Sequence, residues 1–254
     1  PHVFLLGENY VGRGAQENLA YFLGPHSLSG EFRFPLMWTL RDAMAGEAPM
    51  AALDREVKSG RRLWRGSGAV MAPFLGNHDV RRFVTAMEDR LAGAQLETID
   101  DRLRLAWTFV LTQPGAPVIY YGDEIGLPGG PDPDNRHDMR FGDAVGDRGR
   151  AIRGHVRRLG RLRRCSRALR RGDYTSVVAG DDHLVYARRA DNGEVAIVAL
   201  NRSQTPKTVR LNAPGDLVRA RDGEAFDPGP EGRVAVDVPA LGSAVLVTEA
   251  GCGR

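Results

Sequence analysis

The 254-residue sequence predicts an α/β protein in which parallel strand–helix units are followed by an antiparallel β-sandwich. Short apolar runs alternate with helical patterns through the first two thirds of the chain. Three of these runs end at a turn that carries a carboxylate, namely Glu8, Asp79 and the pair Asp123-Glu124. Parallel α/β proteins place their chemistry where their strands end. We therefore expect these turns to share one edge of a sheet.

The first part of the chain repeats the order strand–helix about four times. Four parallel units are half of what closes an eight-stranded barrel. A long segment, residues 126–146, is rich in Gly, Pro, Asp and Asn, and loops of this length are usually functional or disordered. The predicted strands are 3–8, 30–35, 70–75 and 116–121, and the predicted helices are 16–23, 36–45, 51–64, 83–91 and 100–112.

An arginine-rich helix is predicted next, because apolar residues recur at steps of three and four over residues 152–169. Residues 148–171 hold 11 Arg and no Asp or Glu, so the rest of the chain has 35 − 11 = 24 basic against 32 acidic residues. A nucleic-acid or anionic surface is one interpretation of this helix. No aromatic residue is interleaved with its arginines, and the apolar stripe suits docking. We therefore expect a solvated face and no nucleic-acid partner.

After Gly172 the pattern is that of an all-β module. Asp191-Asn192-Gly193 is a typical hairpin turn. We place the boundary there and predict two domains, residues 1–171 and 172–254. No apolar run is long enough to span a membrane, so no membrane partner is expected. The predicted strands are 174–178, 183–189, 194–200, 207–211, 233–238 and 243–248.

Several interpretations of the strand-end residues remain open. Glu8 could be a surface carboxylate, and Asn77-His78-Asp79 could be a turn with local hydrogen bonds. Two carboxylates from separate strands also fit a general acid and the stabilisation of a developing cation. A metal site built from His78-Asp79 with His137 and Asp138 is disfavoured, because no metal-ligand spacing accompanies them, and we expect no metal.

Four motifs together resemble one known family. They are GENYVG at Gly7, FLGNHDVRR at Phe74, GAPVIYYGDEIGLPGG at Gly115 and DPDNRHDMRF at Asp132. In this order and spacing they resemble the α-amylase family, glycoside hydrolase family thirteen, most strongly over residues 6–141. The resemblance implies that residues 3–6, 32–34, 70–75 and 118–121 are strands five to eight of a (β/α)8 TIM barrel. The chain would then be the C-terminal half of the barrel, followed by the family's C-terminal β domain.

The resemblance also implies roles for individual residues. Glu8 matches the general acid/base, and Asp79 matches the aspartate that stabilises the transition state. His78 matches a histidine that hydrogen-bonds the sugar at the cleavage subsite, and Arg136 matches an arginine that reaches donor-side sugars in some members. The expected activity is retaining cleavage, or transfer, of α-glucosidic bonds, with an α-glucan or maltooligosaccharide as substrate.

One departure from the family pattern limits this expectation. The family's nucleophile is an aspartate in a GxRxD-type motif on the fourth strand, and no such motif precedes Glu8. The first barrel half and the inserted domain that often binds calcium are missing as well. We therefore expect the chain to need an N-terminal half, and to be inactive or at most a weak carbohydrate-binding module alone. No cofactor is identifiable in the chain. The location stays open: the resemblance slightly favours an extracellular or periplasmic one, and a cytoplasmic one is also compatible with the sequence.

Overall fold

A computed structural model describes residues 3–212, 217–219, 225–226 and 233–248 of the chain. Within these residues helices dominate the first part and strands the second. The helices are α1 (Gln16–Tyr21), α2 (Phe34–Ala45), α3 (Ala51–Leu63), α4 (Phe83–Arg90), α5 (Leu96–Thr112), α6 (Gly146–Cys165) and α7 (Arg167–Arg171). The strands are β1 (Leu6–Gly7), β2 (Gly30–Glu31), β3 (Asp173–Ala179), β4 (His183–Arg189), β5 (Val195–Asn201), β6 (Lys207–Asn212), β7 (Leu217–Arg219), β8 (Ala225–Phe226), β9 (Arg233–Val238) and β10 (Gly242–Val247).

Four segments of the first part lie side by side in chain order and run in the same direction. β1 pairs with β2 in parallel, with Leu6 opposite Gly30, and Phe32 forms a parallel bridge with Ala72. On the far side, the amides of residues 116 and 118 donate to the carbonyls of residues 71 and 73, at 2.9 Å each. The carboxyl ends of all four segments therefore meet at one edge.

The regular strands in this part are shorter than the sequence predicts. Only two residues each of β1 and β2 form a continuous ladder. The prediction that Phe34 belongs to a strand is wrong, because α2 begins at this residue. The physical reason is Pro35, whose fixed φ and missing N–H suit the first turn of a helix.

Two glycines let the parallel segments approach one another. A Cβ on Gly30 would lie 2.1 Å from the carbonyl oxygen of Val70. A Cβ on Gly115 would lie 2.0 Å from the carbonyl oxygen of Met71, and Gly115 also has a φ of +104°, which side chains rarely adopt. Both positions therefore require glycine.

The observed helices confirm the predicted periodicity, but some of them begin or end at residues other than those predicted. α5 begins at Leu96 instead of residue 100, and Asp100 pairs with Arg148 of α6 at 2.6 Å rather than starting the helix. The single helix predicted over 152–169 is two helices. The chain is extended at Ser166, whose hydroxyl accepts a hydrogen bond from the Leu169 amide and so caps α7.

The arginine-rich segment is partly structural. Arg163 donates to the backbone carbonyls of residues 111, 113, 115 and 169, and burial lowers its pKa to about 10. Arg167 forms a bidentate pair with Asp191. The arginines thus include groups that join the helices to the β module, besides those that face solvent. Among the described helices, none is long and apolar enough to cross a membrane.

The β module consists of two antiparallel sheets packed face to face. One has the order β3-β4-β5-β10-β7-β8 and the other pairs β6 with β9. Side chains such as Val185, Ile197 and Leu246 point between the sheets, whereas Tyr186 and Val198 pack on the helices. All six predicted strands are present, and β7 and β8 are additional. The domain boundary at 171/172 stays a prediction, since one apolar core extends across it.

Candidate active site

The three strand-end residues Glu8, His78 and Asp79 come together at the carboxyl ends of the parallel segments. Glu8 follows β1 directly, and His78-Asp79 follow the segment that pairs with residues 29–33. One side-chain ligand atom from each of the three residues lies within 4.8 Å of the others. His78 is half-buried, while Glu8 and Asp79 are exposed. We refer to this surface cluster of two carboxylates and an imidazole as the cleft.

The amide of Asn77 connects both halves of this cleft. Its Nδ2 donates to Oε1 of Glu8 at 2.8 Å, and its Oδ1 accepts from the backbone amide of Asp79 at 3.1 Å. Asn77 is only 6 % exposed, so its orientation is restricted by the surroundings. One buried amide thus ties the carboxylate of Glu8 to the backbone of Asp79.

Arg136 completes the group of residues predicted from the sequence. Its guanidinium lies 3.8 Å from Oδ1 of Asp79 and forms a closer ion pair with Asp132, with 2.7 Å between Nε and Oδ1. His78 Nε2 lies 3.3 Å from the same Asp79 oxygen. The structure therefore brings all four predicted site residues into one place. Their chemical roles remain predictions.

A scaffold of buried residues, Asn135 and Arg82, supports the cleft and was not predicted from the sequence. Asn135, which is fully buried, donates to the backbone carbonyls of His78 and Val80 at 2.8 and 3.0 Å. Arg82 in turn donates to the carbonyl of Asn135 at 3.0 Å. The long loop over residues 126–146 is thereby tied to the turn that carries Asp79. The DPDNR motif contained Asn135, but nothing in its spacing distinguished a scaffold residue from its neighbours.

Arg82 and Asp123 form a buried ion pair behind this turn. Their side chains are 0 % and 2 % exposed, and the nitrogen–oxygen distance is 3.1 Å. The Arg82 guanidinium also lies over the rings of Tyr120 and Tyr121, 4.5 and 4.8 Å from the centroids. Burial raises the pKa of Asp123 to about 6, although Arg82 opposes the shift. Asp123 is therefore packed inside the protein, away from the cleft surface.

A second buried carboxylate supports the loop after Glu8. Glu31, at the end of β2, accepts hydrogen bonds from the backbone and side chain of Asn9 at 3.3 and 3.4 Å. Burial raises its pKa. Beyond it, the half-exposed ring of Tyr10 packs on Phe34 and Trp38, with centroids 5.0 and 6.2 Å apart. Tyr10 is therefore held beside the cleft by packing on one side.

The cleft atoms could in principle ligate a metal, since Glu8, His78 and Asp79 offer two oxygens and a nitrogen. The larger ligand set considered from the sequence does not assemble around them. His137 pairs with Asp134 at 3.0 Å instead. Within the protein, one oxygen of Glu8 accepts a hydrogen bond from Asn77, and Arg136 lies 3.8 Å from Oδ1 of Asp79.

Comparison with known proteins identifies the class and then the family. The profile described as "Alpha amylase, catalytic domain" matches residues 1–156. This match places the fold in a class of glycosidases whose named relatives include cyclomaltodextrinase and amylopullulanase. The chain is a member of the α-amylase family of glycoside hydrolases, as the four sequence motifs had predicted.

A relative similar in sequence and two solved structures show what share of a family member's length this chain spans. A cyclomaltodextrinase of Geobacillus thermopakistaniensis is 35 % identical in an alignment of 180 residues that covers 69 % of this chain and 28 % of that protein. An Anoxybacillus α-amylase structure superposes with a TM-score of 0.81 at 25 % identity, covering 96 % of this chain and 52 % of that one. An α-amylase from Geobacillus thermoleovorans, complexed with acarbose, gives 0.78 at 26 % identity, covering 96 % and 53 %. The chain spans about half the length of these solved structures.

Proposed function

We propose that this chain provides the acid/base and the transition-state stabiliser of a retaining enzyme that cleaves or transfers α-glucosidic bonds in starch-like oligosaccharides. The observation that carries the proposal is the meeting of Glu8, His78 and Asp79 within 4.8 Å at the ends of parallel segments. Membership of the α-amylase family supports the glucan substrate. The name of the cyclomaltodextrinase relative supports a maltooligosaccharide-type ligand.

In the proposed mechanism Glu8 protonates the leaving glycosidic oxygen and then, as a base, activates water or an acceptor sugar. The carboxylate of Asp79 stabilises positive charge that develops at the sugar. His78, beside it, donates to a sugar hydroxyl, and Arg136 reaches sugar units on the donor side. Asn77 supports these roles, because it occupies one oxygen of Glu8 and leaves the other for the substrate.

We also propose that the nucleophile comes from a barrel half outside these 254 residues. The chain corresponds to strands five to eight and the C-terminal β domain of the barrel. Both edges of its parallel segments expose large apolar side chains. Phe4 and Leu5 are 54 % and 51 % exposed on one edge, and Ile119 is 43 % exposed on the other. Edges of this kind are otherwise sites of aggregation, and strands one to four would cover them.

Reconstitution of a full barrel tests the proposal. The chain is fused behind the first barrel half of the Geobacillus cyclomaltodextrinase, and release of nitrophenol from a nitrophenyl α-maltoside is followed. We expect turnover by the fusion and none by the chain alone. Glu8→Gln and Asp79→Asn should each lower turnover in the fusion by about 10²-fold or more. Asp143→Asn, which changes an exposed carboxylate in the long loop, serves as the matched control. Equal rates in Glu8→Gln and Asp143→Asn would reject the acid/base assignment.

A fluorinated glycosyl fluoride separates the roles of the carboxylates, because it traps the covalent intermediate on the nucleophile. In the fusion we expect the label on the aspartate of the first barrel half. A label on Asp79 would show that Asp79 attacks the sugar itself and would overturn its role as stabiliser.

The second candidate function is a catalytically incomplete chain that binds carbohydrate weakly. The exposure of Glu8 and of both apolar edges favours it for the chain in isolation. Calorimetric titration with maltotriose distinguishes the cases. Weak binding without hydrolysis supports this candidate, and Glu8-dependent hydrolysis by the chain alone excludes it.

A further inference from the structure

A cavity between the helices and the β module has the features of a ligand site distinct from the cleft. Its volume is about 420 Å³, and it is bounded by α5, α6 and the turn that leads into β10. Ligand pockets in proteins have about 300–1,000 Å³ and occur preferentially where two structural parts meet. The cavity therefore has the size and position expected of a site for a small molecule.

The walls combine an apolar surface with convergent polar groups. Leu105, Leu159 and Ala244 provide apolar surface. The hydroxyl of Thr108 lies 3.0 Å from Nε2 of His155 and 3.1 Å from the hydroxyl of Ser243, so three polar groups from three elements meet at one point. Thr108 is fully buried and donates to the carbonyl of Arg104, which also lies 3.0 Å from Nε2 of His155. The partly exposed hydroxyl of Ser243 is therefore the member of this group that can bond to a hydroxyl of a ligand.

The charge of the cavity is positive. Arg104 is neutralised by Asp101 at 2.7 Å, whereas Arg158 has no carboxylate partner within the described part of the chain. Burial and then the positive charge of Arg158 lower the pKa of His155 to about 4, so the imidazole is neutral at physiological pH. The remaining uncompensated charge is the guanidinium of Arg158, which is suited to a phosphate or carboxylate.

The backbone at the cavity is also unusual. Leu241, which lines it, has a φ of +46°, the positive value that only glycine adopts freely. Its amide donates to the carbonyl of Ser203 at 2.9 Å, which holds the turn in place. Strained residues of this kind persist where the surroundings fix them, and they are concentrated at ligand sites.

We propose that this cavity binds a hydroxylated small anion, a molecule of about one sugar unit that carries a phosphate or a carboxylate group. The apolar wall accommodates the body of the molecule, Ser243 contacts one of its hydroxyls, and Arg158 binds the anionic group. Thr108 and His155 hold the Ser243 hydroxyl in place. This inference does not depend on the proposed catalytic function.

Calorimetric titration of the 254-residue chain tests the proposal with four probes: glucose 6-phosphate, gluconate, glucose and inorganic phosphate. We expect one equivalent of glucose 6-phosphate or gluconate to bind, and the comparison of the two identifies the anionic group. Glucose and inorganic phosphate should bind more weakly, because each lacks half of the contacts. Arg158→Gln should weaken binding by about tenfold or more, as expected for a charge-assisted hydrogen bond.

The control is Arg153→Gln, an exposed arginine on the same helix that does not line the cavity. It makes the same change in net charge and should leave binding unchanged. The proposal is overturned if none of the four probes binds, since the cavity then holds only water. It is equally overturned if both arginine variants weaken binding to the same extent, or if Asp79→Asn abolishes binding.

Discussion

The buried pair of Arg82 and Asp123 offers the most direct test of how the candidate active site is held in place. Arg82→Met keeps the length of the side chain and removes its charge and its donors. Asp123, 2 % exposed, would then be left without its guanidinium, and the carbonyl of Asn135 would lose its donor. Breaking a buried pair by removing one partner costs about 3–5 kcal/mol. We expect a loss of this size in the free energy of unfolding at pH 8.

The pH dependence of this loss provides a second check. Asp123 has a pKa of about 6 beside Arg82, so it is ionised at pH 8. Without Arg82 the pKa of Asp123 in the folded protein rises further. At pH values between the pKa of the parent and that of the variant, the folded variant therefore binds more protons than the folded parent. Stability of the variant relative to the parent must fall as pH rises through this range. The loss should therefore be smaller at pH 5 than at pH 8.

Urea unfolding of the two forms, followed by circular dichroism, measures the effect. Arg81→Met is the matched control, because the adjacent Arg81 is half-exposed and pairs with the exposed Asp89. It should change stability by no more than about 0.5 kcal/mol. Adding Asp123→Asn to Arg82→Met should recover about 2 kcal/mol, since the buried charge is removed. A loss below about 1 kcal/mol in Arg82→Met would refute the role of this pair.

Three further predictions concern the cleft, the backbone and the interface. In the reconstituted enzyme, Glu8→Gln should lower turnover by about 10²-fold or more while maltotriose binding is retained; unchanged turnover would contradict the assignment. Gly115→Ala should destabilise the chain by about 2 kcal/mol or more, and Gly24→Ala, with open space around it, much less; equal losses in urea unfolding would disprove the close approach. The neutral His155, with a folded pKa of about 4, contributes up to about 3 kcal/mol above pH 6.5, which is lost as pH falls toward 4. This part of the pH dependence should be absent in His155→Gln, and an unchanged slope would contradict it.

The sequence predicted the meeting of Glu8 with His78 and Asp79 because that meeting follows from local rules. Each residue directly follows an apolar segment, and parallel segments end at the same edge. The strands of the β module were predicted closely for a related reason, since alternation of apolar and polar residues reports which face of a sheet is buried. Four short motifs were enough for the family, because their order and spacing are specific even where each alone is not.

The scaffold could not be predicted, because it depends on pairs of residues that are distant in the chain. Asn135 bonds to carbonyls 57 and 55 positions away, and Arg82 reaches Asp123 across 41 positions. No periodicity encodes such a pair. The end of α6 was missed for a different reason, since the apolar stripe continues through Ser166 and only the geometry of the chain reveals its capping role.

The sequence by itself determined the family, the alternation of strands and helices in the first part, and the residues that reach the cleft, since all of these depend on local patterns and short motifs. Only the tertiary structure decided which buried groups hold those residues. It showed that one amide of Asn77 joins Glu8 to the Asp79 turn, and that the long loop is fastened beneath that turn through Asn135. The physical reason is that a buried polar group is stable only when a partner satisfies it, and the fold alone decides which partner comes within reach.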